Sequence, residues 1–372
     1  MRTFYFFILI AILTLSSSIV KAQWEPLSNF TGGDTKDISI KNDFIFVGTN
    51  QGIFFSSDNG NNWVTKNNGL TNDTIRAFAF NGDNIFAGSK GTIFLSSDNG
   101  ESWTSKSSGF SGITNAMAIL GNYIFVATFD DVFVSSDFGE NWVKKNVGLP
   151  AESYPYRLSV KDNMVFLGTE GAGVFVSTDY GENWIQKING FGWNVDIRSI
   201  VISGENIFVG LQAGGVYHSS DNGENWLSKK SGLNNLWVYS LTAMDNYIFA
   251  GTLQRGFYVS SDNGDNWVMT NAGLGGNSTN TIATDSIYIY AGTDMGAFRA
   301  RLSDFITDVD DGITQKDFII YPNPASDFIS ISGINDKIQI YDIMGREVWR
   351  GKVIDGQRIN VSDFFEGLYF LV

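Results

Sequence analysis

A short, continuously apolar segment ending in glycine and a small hydroxyl residue recurs along the chain. It reads Ile-Phe-Val-Gly-Thr at 45–49, and close copies occur at 85–89, 165–169 and 248–252. Strands that are apolar at every position are typical of sheets covered on both faces. Turn residues such as Asn-Gly-Asp at 81–83 divide the sequence around each copy into four short strands. The pattern predicts an all-β chain built from stacked four-stranded sheets.

A more specific motif follows the third strand of each unit. The pattern Ser-x-Asp-x-Gly-x-x-Trp occurs six times, and its aspartates are 40, 39, 42, 42 and 41 residues apart. This period is that of one blade of a β-propeller. The aspartates and tryptophans of the six boxes are Asp58, Trp63, Asp98, Trp103, Asp137, Trp142, Asp179, Trp184, Asp221, Trp226, Asp262 and Trp267.

Six boxes nevertheless predict seven blades. After Trp267, residues 287–292 and 296–300 match the second and third strands of a blade, but no further box follows. Residues 23–26 resemble an outer strand, with Trp24 where the box tryptophan would stand. Pairing the first strand with the last closes the ring and removes two exposed sheet edges. We predict a seven-bladed β-propeller over residues 23–302.

The boxes resemble the Asp-box, or bacterial neuraminidase repeat, of sialidases, xyloglucanases, sortilin-type receptors and photosystem II assembly factors. The resemblance implies a propeller and does not imply an enzyme. In each box Asp can accept backbone N–H bonds, Gly can take a positive φ, and Trp can pack beneath the hairpin. Six equivalent copies cannot form one site, so we assign the boxes a structural role. The alternative, short calcium loops, is disfavoured because such loops gather six or more oxygens over about twelve residues.

The sequence changes character after Phe305. A polar, acidic linker over 303–313 leads to a second domain predicted over 314–372. Tyr-Pro-Asn-Pro at 321–324, the alternating segment 328–331 and the segments 338–348 and 366–372 resemble the C-terminal sorting domain of the type IX secretion system. The resemblance implies a small β-sandwich, a Bacteroidetes-type source and the type IX secretion machinery as a partner. An ordinary adhesive β-sandwich is the alternative.

Members of that family usually continue past the Gly-Leu-Tyr strand, which lies here at 367–369. The chain stops at Val372, so the resemblance implies a truncated sorting domain.

The N-terminal residues predict a signal peptide over 1–22. A charged start is followed by an almost wholly apolar run at 4–15, and Ala22 is a small residue directly before Gln23. An uncleaved membrane anchor is disfavoured because the run is shorter than the roughly 20 residues that a spanning helix needs. We expect cleavage near Ala22 and a mature protein that is secreted or held at the outer-membrane cell surface.

Composition excludes several kinds of chemistry. The chain has no cysteine and a single histidine, His218, which rules out disulfides, thiolate zinc sites, cysteine nucleophiles and multi-histidine metal sites. The net charge of -14 disfavours nucleic acid as a partner. We expect no cofactor, no metal, a monomer, and a surface position for His218.

Polar chemistry concentrates at the predicted starts of the innermost strands. Alignment of the blades brings Lys36, Arg76, Asn115, Tyr156, Arg198, Tyr239 and Asn280 to one position. In a propeller these starts surround one mouth of the central channel, and Arg157 stands beside them. A ring of cationic, amide and phenol groups without a carboxylate suits an acidic peptide, a carboxylate or a sugar acid. The alternative is a water-filled structural channel.

Two tryptophans, Trp193 and Trp237, lie in the connections that enter the fifth and sixth blades. Exposed aromatics beside hydrogen-bonding groups suit sugar or peptide recognition, and packing against neighbouring loops is the alternative. The sequence therefore favours a noncatalytic surface propeller that binds an extracellular protein or glycan.

The competing hypothesis is a secreted glycoside hydrolase, sialidase- or xyloglucanase-like, acting on polysaccharide. The Arg-Ile-Pro motif of sialidases is absent. No motif selects a catalytic pair of carboxylates, and we assign no catalytic residue. The scattered candidates are Asp37, Asp130, Asp131, Glu170, Asp196 and Asp294.

Overall fold

The computed structural model describes residues 24–192, 195–254, 256–276, 278–305, 319–321, 327–332, 336–342, 346–354, 356–362, 364 and 369–371. These residues fall into two compact units, one before residue 307 and one after it. Within them, no helix has both the length and the apolar character needed to cross a membrane. The predicted signal peptide, residues 306–313 of the predicted linker and Trp193 lie outside the described residues.

The first unit consists of seven antiparallel four-stranded sheets. The innermost strands of blades 1 to 7 are Thr35–Lys41, Ala77–Asn81, Thr114–Leu120, Pro155–Lys161, Ile197–Ser203, Val238–Met244 and Thr279–Thr284. The second strands are Phe44–Thr49, Asn84–Gly88, Tyr123–Thr128, Met164–Thr169, Asn206–Leu211, Tyr247–Thr252 and Tyr288–Thr293. The third strands are Gly52–Ser56, Ile93–Ser96, Val132–Ser135, Gly173–Ser177, Gly215–Ser219, Gly256–Ser260 and Gly296–Arg301. The outer strands are Val64–Thr65, Thr104–Ser105, Val143–Lys144, Ile185–Lys187, Leu227–Ser228, Val268–Met269 and, for blade 7, Glu25–Pro26.

The N-terminal strand closes the ring. Glu25 and Pro26 pair antiparallel with Arg299 and Phe298 of the third strand of blade 7. Trp24 is only 2% exposed and packs in a buried cluster that blades 6 and 7 share. The predictions of seven blades and of an N-terminal outer strand in the last blade are confirmed. The packing extends beyond the predicted boundary at residue 302, because a short 3-10 helix at Leu302–Asp304 leads to the buried Phe305.

The second strands form the core between blades. Phe46 and Phe86 are fully buried at the centre of their strands. Phe46 contacts Phe78 and Phe80 of blade 2, with ring centroids 6.0 and 5.8 Å apart. Each second strand is therefore covered on both faces, which explains why its sequence is apolar without alternation.

Box tryptophans tie each blade to the one before it. The indole N–H of Trp103 donates to the carbonyl of Lys66 at 2.8 Å, and four later boxes repeat this bond. Trp24 makes the same bond to Thr270 at 2.9 Å. Trp63 is the exception, since it is half-buried and donates to Gly60 of its own box at 3.1 Å.

The C-terminal unit contains two three-stranded sheets. Their strands are Ile319–Tyr321, Phe328–Ser332 and Gln357–Asn360 in one sheet, and Asp336–Asp342, Glu347–Val353 and Tyr369–Leu371 in the other. Ile329, Ile331 and Ile359 of the first sheet share a buried cluster with Ile338 and Ile340 of the second. This arrangement confirms the predicted small C-terminal β-sandwich.

Candidate functional site at the channel mouth

The course of each blade separates two faces of the propeller. The innermost strand starts at one face, and the turn between the second and third strands returns the chain to that face. The boxes lie between the third and outer strands, so they occupy the opposite face. The predicted ligand-binding residues and the box residues therefore lie at opposite ends of the propeller.

The six boxes share one hydrogen-bond pattern. In blade 1, Ser56 donates to Asp58 at 2.8 Å, while the backbone N–H and side-chain amide of Asn62 also donate to Asp58, at 2.9 and 2.6 Å. The side-chain hydrogen bond from Asn62 is the largest cause that holds the pKa of Asp58 below its ordinary value. The described residues contain no group of three or more acidic or histidine side chains able to hold a metal ion. The box carboxylates thus already have protein donors.

A β-bulge marks the start of the innermost strand in six of the seven blades. The extra residue in each bulge is one of the residues predicted from the alignment: Lys36, Asn115, Tyr156, Arg198, Tyr239 or Asn280. Arg76 immediately precedes the corresponding strand of blade 2. A bulge breaks the alternation of a strand and re-aims side chains, so two successive residues can face the channel.

The strand starts surround a mouth cavity of about 190 Å³. Its lining includes six of the seven aligned positions and the neighbouring guanidinium: Lys36, Arg76, Asn115, Tyr156, Arg157, Tyr239 and Asn280, together with Asp34 and Thr35. A cavity of about 220 Å³ shares several of these residues and also contacts Asp37, Ser199 and Ser240. Of the predicted site residues, Lys36, Arg76, Tyr156, Arg157 and Tyr239 therefore come together at the mouth.

Two lining arginines have no carboxylate partner. Arg76 donates through Nε to the carbonyl of Thr114 at 2.9 Å. Arg157 donates through Nη1 to the carbonyls of Asn115 and Tyr156, at 3.2 Å each, and lies over the Tyr156 ring. Among the described residues neither guanidinium forms an ion pair within 4 Å. Backbone carbonyls thus hold both guanidiniums in position while other N–H donors remain available.

Among the seven aligned strand-start residues, Arg198 alone does not line the mouth cavity. It is 8% exposed and donates to both carboxylate oxygens of Glu170, at 2.6 and 3.0 Å, and to Gln212. Its guanidinium lies between the rings of Tyr156 and Tyr239. Arg198 is a buried structural link rather than an open donor.

The expectation of a ring without carboxylates is wrong. Asp34 pairs with Lys36 at the mouth, and Glu170 pairs with Arg198 behind it. Asp37 borders the channel as well, because the bulge at Lys36 turns the next residue inward. Regular alternation along an unbulged strand would have turned Asp37 away from the channel.

Asp37 joins blade 1 to blade 2. Its Oδ2 accepts bonds from the Ser39 hydroxyl and from the backbone N–H of Phe78, both at 3.0 Å. Ser240 accepts a similar bond from Ile282 across blades 6 and 7. Burial raises the pKa of Asp37 despite these bonds and the positive charge of Arg157.

Two phenols flank the cationic groups. Burial raises the pKa of Tyr156, but the guanidiniums of Arg157 and Arg198 together outweigh it and hold the pKa below its usual value. Burial raises the pKa of Tyr239 above its usual value. Tyr239 lines the mouth cavity, and Trp237, two residues before it, is 39% exposed without contacting that cavity.

His218 lies in the third strand of blade 5, away from the mouth. It is half-buried, its ring lies 4.8 Å from that of Phe208, and Nε2 is 2.7 Å from Oδ1 of Asn206. Burial holds the pKa of His218 below its usual value.

Comparison with known families identifies the C-terminal unit. Residues 319–372 match the family described as the secretion system C-terminal sorting domain. The chain carries a type IX sorting domain. This domain implies interaction with the type IX secretion machinery and export to the cell surface or the extracellular space. Residues 32–54 and 111–134 match the LVIVD repeat, and these segments cover the first two strands and most of the third strand of blades 1 and 3.

Solved structures share the propeller fold. The structure of YCF48 bound to D1 peptide superposes with a TM-score of 0.63 at 16% identity, covering 76% of this chain and 96% of that one. A GH74 enzyme of Niastella koreensis gives 0.57 at 20% identity, covering 72% and 43%. A GH74 xyloglucanase of Xanthomonas campestris gives 0.61 at 13% identity, covering 87% and 58%. No curated protein matches the chain.

Proposed function

We propose that the propeller is a noncatalytic ligand-binding domain that acts at the cell surface or outside the cell. Its ligand is an extracellular protein or glycan that places a carboxylate in the channel mouth. The observation that carries this proposal is the pair Arg76 and Arg157, whose guanidiniums line the mouth cavity without an ion pair among the described residues. Guanidinium–carboxylate bonds are among the strongest hydrogen bonds that proteins make.

The size of the mouth cavity favours a small acidic group of a ligand over a stretch of polymer chain as the part that is bound. Its volume of about 190 Å³ lies below the roughly 300–1,000 Å³ of pockets that enclose drug-sized ligands. An acidic side chain, a chain terminus or one acidic sugar unit matches this volume better than a stretch of polysaccharide. The similar fold of YCF48, whose structure is a peptide complex, supports a peptide as one such ligand.

Net charge makes the mouth selective. The chain carries a net charge of -14, which repels acidic ligands from most of its surface. The two guanidiniums of Arg76 and Arg157, which form no ion pair among the described residues, therefore attract acidic ligands to the mouth. Added salt screens this attraction. Binding is expected to weaken as ionic strength rises.

The test measures binding of fluorescent acidic peptides and sialylated or uronic-acid oligosaccharides to the full chain. Arg76→Ala with Arg157→Ala should weaken binding about 10- to 100-fold, since a hydrogen bond to a charged group contributes about 1.5–3 kcal/mol. Lys229→Ala is the matched control, because it removes a positive charge that pairs with Asp265 on the box face. Equal affinity of the double variant and the parent would remove the mouth as the site.

A hydrolase is the second candidate, and one observation favours it. Burial raises the pKa of Asp37, and a protonated carboxyl group is what a general acid requires. A second, free carboxylate is also required, whereas Asp34 pairs with Lys36 and Glu170 pairs with Arg198. Turnover of xyloglucan or of a sialoside by the parent, abolished in Asp37→Asn, would replace the binding proposal.

A further inference from the structure

Exposed apolar side chains lie on the mouth face where blades 3 and 4 meet. Phe129 is 50% exposed in the turn after Thr128, the last residue of the second strand of blade 3. Its ring contacts that of Tyr154, which precedes the innermost strand of blade 4, with ring centroids 4.8 Å apart. Ile113 is 37% exposed and precedes Thr114, the pairing partner of Thr128. We call Ile113, Phe129 and Tyr154 the rim patch.

Two residues of the mouth lining adjoin the rim patch. Asn115 lines the mouth cavity, and its side-chain amide donates to the carbonyl of Pro155, the residue after Tyr154, at 2.9 Å. Tyr156 also lines the cavity and follows Tyr154 by two residues, so their Cα atoms are at most about 7 Å apart. The rim patch therefore lies directly beside the mouth cavity.

The two aromatic residues of the rim patch are not required by the blade. The residues equivalent to Phe129 in the other blades, none of them aromatic, are Asn50, Lys90, Glu170, Gln212, Leu253 and Asp294. Tyr154 has a left-handed backbone with φ of 46°. Its equivalents, none of which has a positive φ, are Asp34, Thr74, Ile113, Asp196, Trp237 and Ser278. A bulky residue in this conformation is strained, and such residues cluster at ligand-binding sites.

Acidic residues without partners are the chain neighbours of the rim patch. Asp130 follows Phe129, and Glu152 precedes Tyr154 by two residues. Both side chains are exposed, and neither forms an ion pair or a side-chain hydrogen bond among the described residues. Cationic groups at the mouth, apolar side chains of the rim patch and free carboxylates therefore occur within a few residues of one another.

We propose that the mouth and the rim patch together bind the C-terminus of a peptide whose last residues are apolar and follow a basic residue. This inference rests on the proposed function and specifies its ligand. The terminal carboxylate pairs with Arg76 and Arg157 in the mouth. One of the last two side chains covers Phe129, since two residues of extended peptide also span about 7 Å. The basic side chain lies near Asp130 and Glu152, whose charges attract it.

The rim patch favours a peptide over an acidic glycan. If one acidic sugar unit occupied the mouth, the adjoining units would bring hydroxyls or further carboxylates to the rim patch. Asp130 and Glu152 repel further carboxylates, and the aliphatic side chain of Ile113 forms no hydrogen bond with a hydroxyl. An apolar side chain instead removes the exposed surface of Ile113 and Phe129 from water, which stabilises the complex.

The test measures binding to the full chain by fluorescence anisotropy of labelled hexapeptides. The last three residues of the first peptide are lysine, leucine and phenylalanine. In the second peptide serine replaces leucine and phenylalanine, and the third is the first peptide with an amidated C-terminus. The parent should bind the first peptide about tenfold more tightly than either of the others. Phe129→Ser should weaken binding of the first peptide about tenfold and leave binding of the second unchanged.

A matched control and a charge variant accompany this test. Phe138 is 41% exposed in the box of blade 3, on the opposite face, so Phe138→Ser should bind all three peptides as the parent does. Asp130→Asn with Glu152→Gln should weaken binding of the first peptide about threefold, because exposed charge pairs contribute little each.

Equal affinity of the parent for the first and second peptides would contradict the inference, as would an unchanged affinity of Phe129→Ser for the first peptide. If amidation still weakens binding in either case, the carboxylate site at the mouth stands without the rim patch. Equal affinity for the first and the amidated peptide refutes the carboxylate site and the inference with it. Absence of binding by all three peptides overturns the inference, and binding of sialylated or uronic-acid oligosaccharides would then assign the mouth to a glycan.

Discussion

Replacement of Trp24 by alanine tests how the ring is closed. The outer strand of blade 7 has only two ladder residues, Glu25 and Pro26. Trp24 anchors this strand through its buried indole, whose N–H donates to Thr270 and whose ring packs edge-on against Phe257 at 4.8 Å. Removal of the side chain therefore weakens the attachment of the N-terminal strand to blades 6 and 7 of the propeller.

The magnitude follows from burial. Truncation of a buried tryptophan costs about 3–5 kcal/mol, which includes the cavity that remains. The carbonyl of Thr270 also loses its side-chain donor, so we expect a value near the upper end of that range. Trp63→Ala is the matched control, because Trp63 is half-buried and bonds only to its own box. The same substitution there should cost about 1–2 kcal/mol.

Thermal unfolding followed by far-UV circular dichroism measures the difference. At about 2 °C per kcal/mol for a unit of this size, Trp24→Ala should lower the melting midpoint by about 8–10 °C and Trp63→Ala by about 2–4 °C. Limited proteolysis should cleave Trp24→Ala near its N-terminus before the blades unfold. Equal shifts for the two variants would show that Trp24 does not close the ring.

Three further outcomes are expected. Arg198→Ala should lower stability by about 2–3 kcal/mol in urea unfolding, because it leaves the partly buried Glu170 unpaired, whereas Arg76→Ala should cost less than about 1 kcal/mol. Hydrogen bonds, of which the side-chain bond from Ser102 has the largest effect, lower the pKa of Asp98 from the ordinary 3.8 to about 2. The stability that ionised Asp98 gives the folded protein is therefore fully present above about pH 4 and is lost as the pH falls through about 2. Melting midpoints across this window should fall less steeply for Asp98→Asn than for the parent. Deletion of residues 307–372 should abolish surface or extracellular localisation in fractionated cells of a host with the secretion system, and unchanged localisation would contradict the sorting assignment.

The repeat made the propeller predictable. Because the blades of the ring pack in similar ways, the same residue pattern recurs in the sequence once for nearly every blade. The spacing of these copies predicted the length of a blade and the positions of its strands. The position of Trp24 was predictable for the same reason, because the last blade lacked the tryptophan that the six boxes have. The C-terminal β-sandwich was predictable from its sequence resemblance and its alternating strand.

The chemistry at the mouth was only partly predictable. Alignment found the strand starts, but it could not reveal that bulges turn Asp37 inward. It also could not distinguish Arg198 from Arg157, because the difference is a contact with Glu170 that lies 28 residues away along the chain. Trp63 likewise matches the box pattern but lies next to the closing blade, where its indole N–H bonds within its own box.

The repeated architecture allows structural and ligand-binding roles to be separated. A residue type present at one position in nearly every blade, such as the box tryptophan, meets a need that all blades share. A residue type found in only one or two blades cannot be required by the blade itself. Arg198 is such a residue, but its hydrogen bonds to Glu170 account for it within the fold. Arg157 differs from Arg198 in that no carboxylate among the described residues forms an ion pair with it. An unshared residue with unused binding capacity is therefore a position at which a ligand is expected, and Arg157 places that position at the channel mouth.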